Sequence, residues 1–385
     1  PYSTNVNGGF TTSNTTRIDG AASVNVWTPN ATTYVPPTDT IDTVNITTGS
    51  FDAEQGLAGA SAVTVITKSG SNEYHGSAYE YHDDQQLKSR PYFMPATQKK
   101  PVQTLNIFGG TLGGAIIKNK LFYFGGYEGV RERTGGFGTY SLPTADIRTG
   151  NFSSYINSSN RAGTIYDPAT GTGNGVGRIP FAGNIIPDSR ISPISRKILA
   201  LVPSPNLSGT TNNFSKAASG IYDRDNYDLK INYNATSRLL VWGKYSRMNS
   251  DGGGQFALGE AGGPGVGGDP GNGHEVSQMV SGAMNYTIMP SMLLDMTFGY
   301  SRRDQDVYGA DYGKNYGTDV FGIPGTNGSD PRYSGFPAIN FATYTGYGQL
   351  ATFMPIFRND RSYTYTTNLS YIKGAHELKF GFDLV

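Results

Sequence analysis

The feature that most constrains this chain is a period-two alternation of apolar and polar residues, which recurs from residue 74 to the end. In Asn226-Tyr227-Asp228-Leu229-Lys230-Ile231-Asn232-Tyr233-Asn234, tyrosine, leucine and isoleucine fall on one side, and asparagine, aspartate and lysine on the other. Successive side chains of a strand point to opposite faces, so this segment is a strand with one apolar and one wet side. The pattern returns at 294–301, 363–371 and 378–384. Applied throughout, the rule predicts strands at 73–83, 103–115, 119–132, 223–234, 237–248, 276–288, 291–304, 360–372 and 375–385.

The connections between these strands alternate without exception. Segments 84–102, 133–222, 249–275 and 305–359 are long, whereas 116–118, 235–236, 289–290 and 373–374 are tight turns, to which Asn119, Asn234, Pro290 and Gly374 in or beside them supply the reversal. A soluble sandwich has no reason to obey such a rule. An up-and-down barrel in an outer membrane does, with short periplasmic turns and long external loops. Hydrocarbon offers no partner to a free backbone group, so only a closed sheet survives there, apolar side outward and polar side toward the lumen. The expected fold is all-β, a transmembrane antiparallel up-and-down β-barrel. Tyr227 and Tyr233, Tyr286 and Tyr300, and Tyr363 and Tyr371 lie near segment ends, where they suit two interfacial girdles. In an ordinary half-buried sheet the same tyrosines would be plain strand aromatics.

Composition agrees. Of 385 residues 52 are glycine, aromatics reach 12% and charged residues only 16%, a β-rich profile. Thirty basic and thirty acidic residues cancel to a net charge of +0, which removes the electrostatic footprint of a nucleic-acid binder. The absence of cysteine excludes disulfides, thiolate zinc sites and cysteine nucleophiles. No apolar run approaches the roughly 20 residues a membrane-spanning helix needs.

Residues 1–72 read differently, with Asn, Thr and Ser dominant and short β-branched runs at 41–47 and 62–67. Such a unit is too short to bury a core alone and needs a partner surface. Segment 133–222 holds two helix candidates, 143–148 closed by Gly150, and 193–201 with Ser192 as N-cap and Pro193 at the first helical position. The glycine-rich stretch 251–273 is expected to be flexible and external. Neither end carries a start or stop signal, so the chain is expected to be an internal piece of a longer protein, with two open sheet edges that could not close a pore alone.

Several runs then converge on one family. Ile41-Asp42-Thr43-Val44-Asn45-Ile46, Gly49, Phe51-Asp52-Ala53-Glu54-Gln55-Gly56, Ala62-Val63-Thr64-Val65-Ile66-Thr67-Lys68-Ser69-Gly70-Ser71-Asn72 and His75-Gly76-Ser77 resemble the end of the plug domain and first barrel strand of TonB-dependent outer-membrane receptors. The Oar-like branch is the nearest in pattern. Phe108-Gly109-Gly110-Thr111-Leu112-Gly113-Gly114, Tyr123-Phe124-Gly125-Gly126-Tyr127-Glu128-Gly129, Ile165-Tyr166-Asp167-Pro168 and Asn184-Ile185-Ile186-Pro187-Asp188-Ser189-Arg190 agree with it. The resemblance implies the C-terminal part of a small α+β plug over 1–72, and the N-terminal part of the barrel over 73–385, about nine strands of a probable 22. It also implies partners: TonB, gripping a box outside this chain, with ExbB and ExbD, outer-membrane lipid, and a small-molecule, peptide or glycan ligand. Many members pair an Arg-Gly arginine of the plug with barrel acids. Here Thr48-Gly49 stands at that place, so no such latch carries over.

Chemistry of the catalytic kind is not legible. His75, His82, His274 and His376 lack metal-site spacing, and Gly263, Gly265 and Gly268 match a phosphate-loop pattern with neither a strand before nor a helix after it. No cofactor is expected. Asp223 and Asp225, and Asp304, Asp306 and Asp311, sit at outer strand ends, where solvated carboxylates are the plain reading and calcium ligands the sharper one. Asp228, Lys230, Asn232, Asp295 and Arg303 form the inward polar set, facing either a passing ligand or the plug. Tyr92, Phe93 and Tyr155 are the loop aromatics that could stack on a ligand. The function implied is an energised importer of a scarce nutrient, a siderophore, cobalamin, oligosaccharide or peptide. The rivals are a passive porin-like or adhesion barrel, and a soluble β-rich carbohydrate-binding or fibre protein.

Overall fold

The computed structural model describes residues 5–25, 32–49, 59–94, 96, 99–100, 102–156, 161–350 and 353–385. The Phe51–Gly56 run lies outside them. Two sheets organise the chain. The smaller joins β1 (Asn14–Ile18), β2 (Ala21–Ala22), β3 (Ile41–Thr47) and β4 (Ser61–Thr67) in the order β2-β1-β4-β3, with β1 and β4 parallel.

The larger sheet begins with β5 (His75–Asp84), β6 (Thr104–Ile117), β7 (Leu121–Tyr140), β8 (Phe214–Thr236) and β9 (Leu239–Gly253). Three two-residue pieces follow: β10 (Gln255–Phe256), β11 (Gly262–Gly263) and β12 (Gly265–Val266). Then come β13 (Asn272–Met289), β14 (Met292–Tyr308), the short β15 (Gly348–Gln349), β16 (Ile356–Lys373) and β17 (His376–Leu384). The nine long strands pair antiparallel in the order β17-β16-β14-β13-β9-β8-β7-β6-β5, each beside its neighbour in sequence. Every strand expected from the alternation is present. At the tight-turn ends the bounds agree within two residues, and Asn119 (φ 62°) and Gly374 (φ 61°) supply the left-handed backbone those reversals need. On the other side the strands run further than expected, β7 to Tyr140 and β8 from Phe214, because the ladder continues where apolar alternation has already faded.

The sheet is inverted relative to a water-soluble one. Leu229, Phe298 and Tyr363 are 50%, 47% and 59% exposed, whereas Asp228, Lys230 and Ser246 are 7%, 5% and 0% exposed. Leaving a large apolar side chain in water forgoes roughly 1.5–3 kcal/mol each, so a whole face of them requires an apolar solvent. Tyrosines pair across that face, Tyr127 with Tyr227 and Tyr300 with Tyr363, ring centroids 5.2 Å apart in both cases.

The small sheet lies on the polar face. Its Ile18, Ala21, Tyr34 and Val65 share one apolar cluster with Met248 of β9 and Met279 of β13, the partner surface that a unit of this size requires. At the opposite end from the tight turns, the long connections pack into a cap with its own core, which includes Leu142, Phe214, Leu258, Phe321 and Phe336. The cap contains α1 (Ala145–Arg148) and α2 (Pro193–Leu201), where Ser192 Oγ accepts from Ile194 N at 3.2 Å as the expected N-cap. The stretch 251–273 is packed rather than loose. Its glycines allow backbones to touch: a Cβ on Gly267 (φ +79°) would stand 2.4 Å from Gly220 N.

Candidate functional site

The densest buried polar cluster joins the small sheet to the wall of the large one. Period two places Asp228 and Lys230 on one face of β8, and antiparallel pairing sets Lys230 opposite Lys244 and Asp228 opposite Ser246 of β9. Two lysines facing each other across a ladder repel, and the sheet sets only Asp228 beside them, so neutrality needs a second anion from outside the sheet. Asp19 supplies it. This residue occupies the β1–β2 turn at φ 46°, a conformation that a short polar side chain tolerates best after glycine. Its Oδ1 lies 3.1 Å from Lys230 Nζ and its Oδ2 3.1 Å from Lys244 Nζ. Lys244 Nζ also stands 3.1 Å from Asp228 Oδ1, so two acids and two bases close a neutral quartet.

Hydrogen bonds complete the cluster. Thr67 donates to Asp19 through its backbone N at 3.1 Å and its hydroxyl at 2.6 Å. Tyr34 donates its hydroxyl to Asp228 Oδ2 at 2.6 Å, Ser246 donates to Oδ1 at 2.7 Å, and Lys230 donates to the Thr67 carbonyl at 3.0 Å. Lys230 Nζ sits 4.9 Å from the centre of the Trp242 ring. Burial by itself pushes the Asp19 carboxyl up, but the ammonium groups of Lys244 and Lys230 and the bonds from Thr67 outweigh it, so its pKa falls below the ordinary value. Burial, and then the Asp228 charge, raise the Tyr34 hydroxyl, which stays protonated as a donor.

A second junction lies at the far side of the small sheet. Arg17 reaches β17 through a two-pronged contact with Asp383, Nη1 to Oδ1 at 2.9 Å and Nη2 to Oδ2 at 2.6 Å, and Thr366 donates to Asp383 Oδ1 at 2.6 Å. Between the two junctions, Ala22 N donates to Thr364 Oγ1 at 3.0 Å and Asn226 Nδ2 to the Val35 carbonyl at 2.6 Å. Ionic contacts between the units thus exist, on Arg17 and Asp19 rather than at Thr48-Gly49.

Of the inward polar set, Asp228 and Lys230 meet the small sheet. Asp295 pairs instead with Asn285 on β13, its partner in register, and Arg303 with Glu275 at 2.7 Å. Asn232 Oδ1 is buried without a hydrogen-bond partner among the described residues. Lys244, Ser246, Tyr34, Arg17 and Asp383 are absent from the sequence-derived set. Lys244 was findable from the alternation Lys244-Ser246-Met248, but its meaning depends on register.

The outer acids are mostly engaged by arginines. Asp223 receives Arg133 Nη1 at 2.6 Å, Asp225 receives Arg131 Nη2 at 2.8 Å, and Asp304 pairs with Arg302 at 2.5 Å. Asp311 accepts from Phe336 N at 2.7 Å. Among the described residues no group of three or more His, Asp or Glu converges as metal ligands. Of the loop aromatics, Tyr92 and Phe93 are 92% and 86% exposed and pack edge to face on each other. Tyr155 lines a cap cavity of about 470 Å³, with its hydroxyl 3.2 Å from Thr343 Oγ1.

A nine-stranded antiparallel meander with an apolar outer face and a buried polar inner one defines an outer-membrane β-barrel wall. The chain belongs to the outer membrane beta barrel domain family, whose model matches residues 66–385. This places it in the outer membrane of a Gram-negative bacterium and sets aside the soluble β-rich reading. The TonB-dependent transporter Oar of Myxococcus xanthus is 36% identical over 92 residues, 23% of this chain and 9% of that protein. Among solved structures, the outer membrane transporter YddB from Escherichia coli is similar with a TM-score of 0.51 at 10% identity, covering 97% of this chain and 40% of that one. The ferric enterobactin receptor of Pseudomonas aeruginosa gives a TM-score of 0.48 at 12% identity, covering 97% and 41%. The chain spans about two fifths of the length of these solved structures. The names these proteins carry are those of transporters and receptors, not enzymes.

Proposed function

We propose that this chain is part of a TonB-dependent outer-membrane receptor that imports a scarce nutrient, such as a siderophore, cobalamin, oligosaccharide or peptide. Residues 1–72, with the small sheet, are the C-terminal part of its plug, the wall from residue 73 onward belongs to the barrel, and the long connections are external. TonB, energised by ExbB and ExbD, pulls on the plug, and a ligand caught by the cap is released inward. No bond of the ligand is made or broken.

The observation that carries this reading is the quartet of Asp19, Lys230, Lys244 and Asp228. A plug that must move under force is better held by polar contacts than by a deep apolar core. Water entering the seam can solvate each separated charge, which lowers the cost of parting them. The apolar part of the seam is small and uses two flexible methionines, Met248 and Met279.

The test needs no knowledge of the ligand. Ser246, fully buried beneath the small sheet, is replaced in the full-length protein by Ser246→Cys, residues 1–385 holding no cysteine and any elsewhere in the protein being changed to serine. Living cells are then treated with a membrane-impermeant maleimide. Labelling that requires TonB is the expected result. Equal labelling in cells with and without TonB would overturn the reading in favour of a passive barrel.

A further inference from the structure

The cap cavity lies between two connections far apart in sequence, the β7–β8 segment that carries α1 and α2, and residues 339–347 of the β14–β16 segment. Its walls are apolar, Ile147, Phe152, Ile198, Leu199 and Ile339 among them, and among the described residues no charged side chain lines it. Its side-chain polar groups are hydroxyls, those of Tyr155, Ser195, Thr343, Tyr344 and Tyr347. A volume of about 470 Å³ falls within the range of small-molecule sites, which pair apolar walls with a few orienting polar groups.

The frame is fixed without a ligand. Arg148 donates to the carbonyls of Pro143, Leu199 and Val202, at 3.1, 3.1 and 2.9 Å, and so clamps α1 to α2. Thr345 N donates to the Ser141 carbonyl at 2.9 Å and ties the two connections together, while Ile339 and Tyr347 bond each other's backbones. The Tyr155 and Tyr344 rings lie 6.4 Å apart, and Phe341 packs edge-on to Tyr347 while 44% exposed. Burial, with the neighbouring Tyr155 second, pushes the Tyr344 hydroxyl up to about 12, so it remains neutral at any physiological pH.

From this geometry we infer that the cavity binds an uncharged apolar or aromatic moiety carrying a single hydroxyl or carbonyl group, which the Tyr155–Thr343 hydroxyl pair orients. A carboxylate or phosphate entering it would lose its hydration and find no lining cation among the described residues, the nearby Arg148 guanidinium being committed to backbone carbonyls. The ligand class of this receptor is then a molecule with a neutral aromatic or aliphatic portion. The inference rests on the import reading for its purpose, but binding is measured without transport.

The test uses the full-length protein in lipid nanodiscs and fluorine NMR of two probes of one size, neutral 4-fluorobenzyl alcohol and anionic 4-fluorobenzoate. The alcohol should bind saturably, and the benzoate at least tenfold more weakly. Ser195→Trp, which fills the cavity from α2, and Ala342→Trp, which fills it from the opposite connection, should each weaken the alcohol at least tenfold. Heat-dependent gel mobility selects the variants that fold. Equal binding of the two probes, no saturable binding, or unchanged binding in a folded filling variant would overturn the inference. Failure of TonB-dependent labelling at position 246 would leave these results standing, and so separates the two readings.

Discussion

Lys230 and Lys244 stand directly opposite one another on adjacent strands, and each ammonium lies 3.1 Å from an oxygen of Asp19. The wall alone would leave the two lysines repelling each other, with only Asp228 to offset them. The small sheet removes that repulsion, so wall and small sheet each complete the other.

Removing Asp19 therefore unbalances the cluster. Asp19→Asn leaves two buried ammonium groups against one carboxylate, and breaking a buried pair in this way costs about 3–5 kcal/mol. Hydrogen exchange of 14–22 in the full-length protein should accelerate accordingly. Adding Lys230→Met leaves Lys244 on Asp228, a one-to-one balance, and should recover at least about 1 kcal/mol, a coupling that independent sites would not show.

The pH dependence has a definite sign. The Asp19 carboxyl has a lower pKa in the folded protein than an ordinary aspartate, so its stabilisation is fully present above the ordinary value and is lost as pH falls through the folded one. Exchange protection of 14–22, corrected for intrinsic rates, should stay flat from neutral pH down to about 5 and weaken only in stronger acid. A midpoint near neutrality would contradict the assignment.

The Arg17–Asp383 junction should matter less. Its side chains are 23% and 22% exposed, and partly open pairs contribute about 1 kcal/mol or less. Arg17→Lys loses the two-pronged fit and should reduce protection of β1 by less than Asp19→Asn does, an ordering that exchange on the two variants measures directly.

The cap depends on backbone proximity. Gly267→Ala puts a methyl group 2.4 Å from Gly220 N at a φ of +79°, which should cost about 1–3 kcal/mol. Limited proteolysis should then cut 251–273 faster, while heat-dependent gel mobility of the barrel remains unchanged.

Local chemistry explains why some of this could be read in advance. Alternation marks a strand wherever its two faces meet different solvents, and Tyr227 through Tyr233 shows that contrast residue by residue. Beyond Asp223 the β8 ladder continues through Ser215-Lys216-Ala217-Ala218-Ser219-Gly220, where both faces leave the membrane and the contrast vanishes, so the strand outran its signal. Asp228 and Lys230 were legible as inward residues because facing follows from parity. Their partners Asp19, Tyr34 and Thr67 were not, since contact across separations of 163 to 211 residues is set by docking and not by any local period. The glycine-rich stretch misled for a related reason: glycine permits looseness, but it also permits backbones to touch, and only tertiary structure decides which.

The central claim is that the apolar flank of the wall faces lipid and the polar flank faces the plugged interior. Environment-sensitive labels at Leu229→Cys, Phe298→Cys and Asn232→Cys, each in the full-length protein reconstituted with acyl-brominated lipids, test it most directly. Strong quenching at 229 and 298 with little at 232 is the predicted outcome, and equal quenching at all three, or none at 229 and 298, would contradict it.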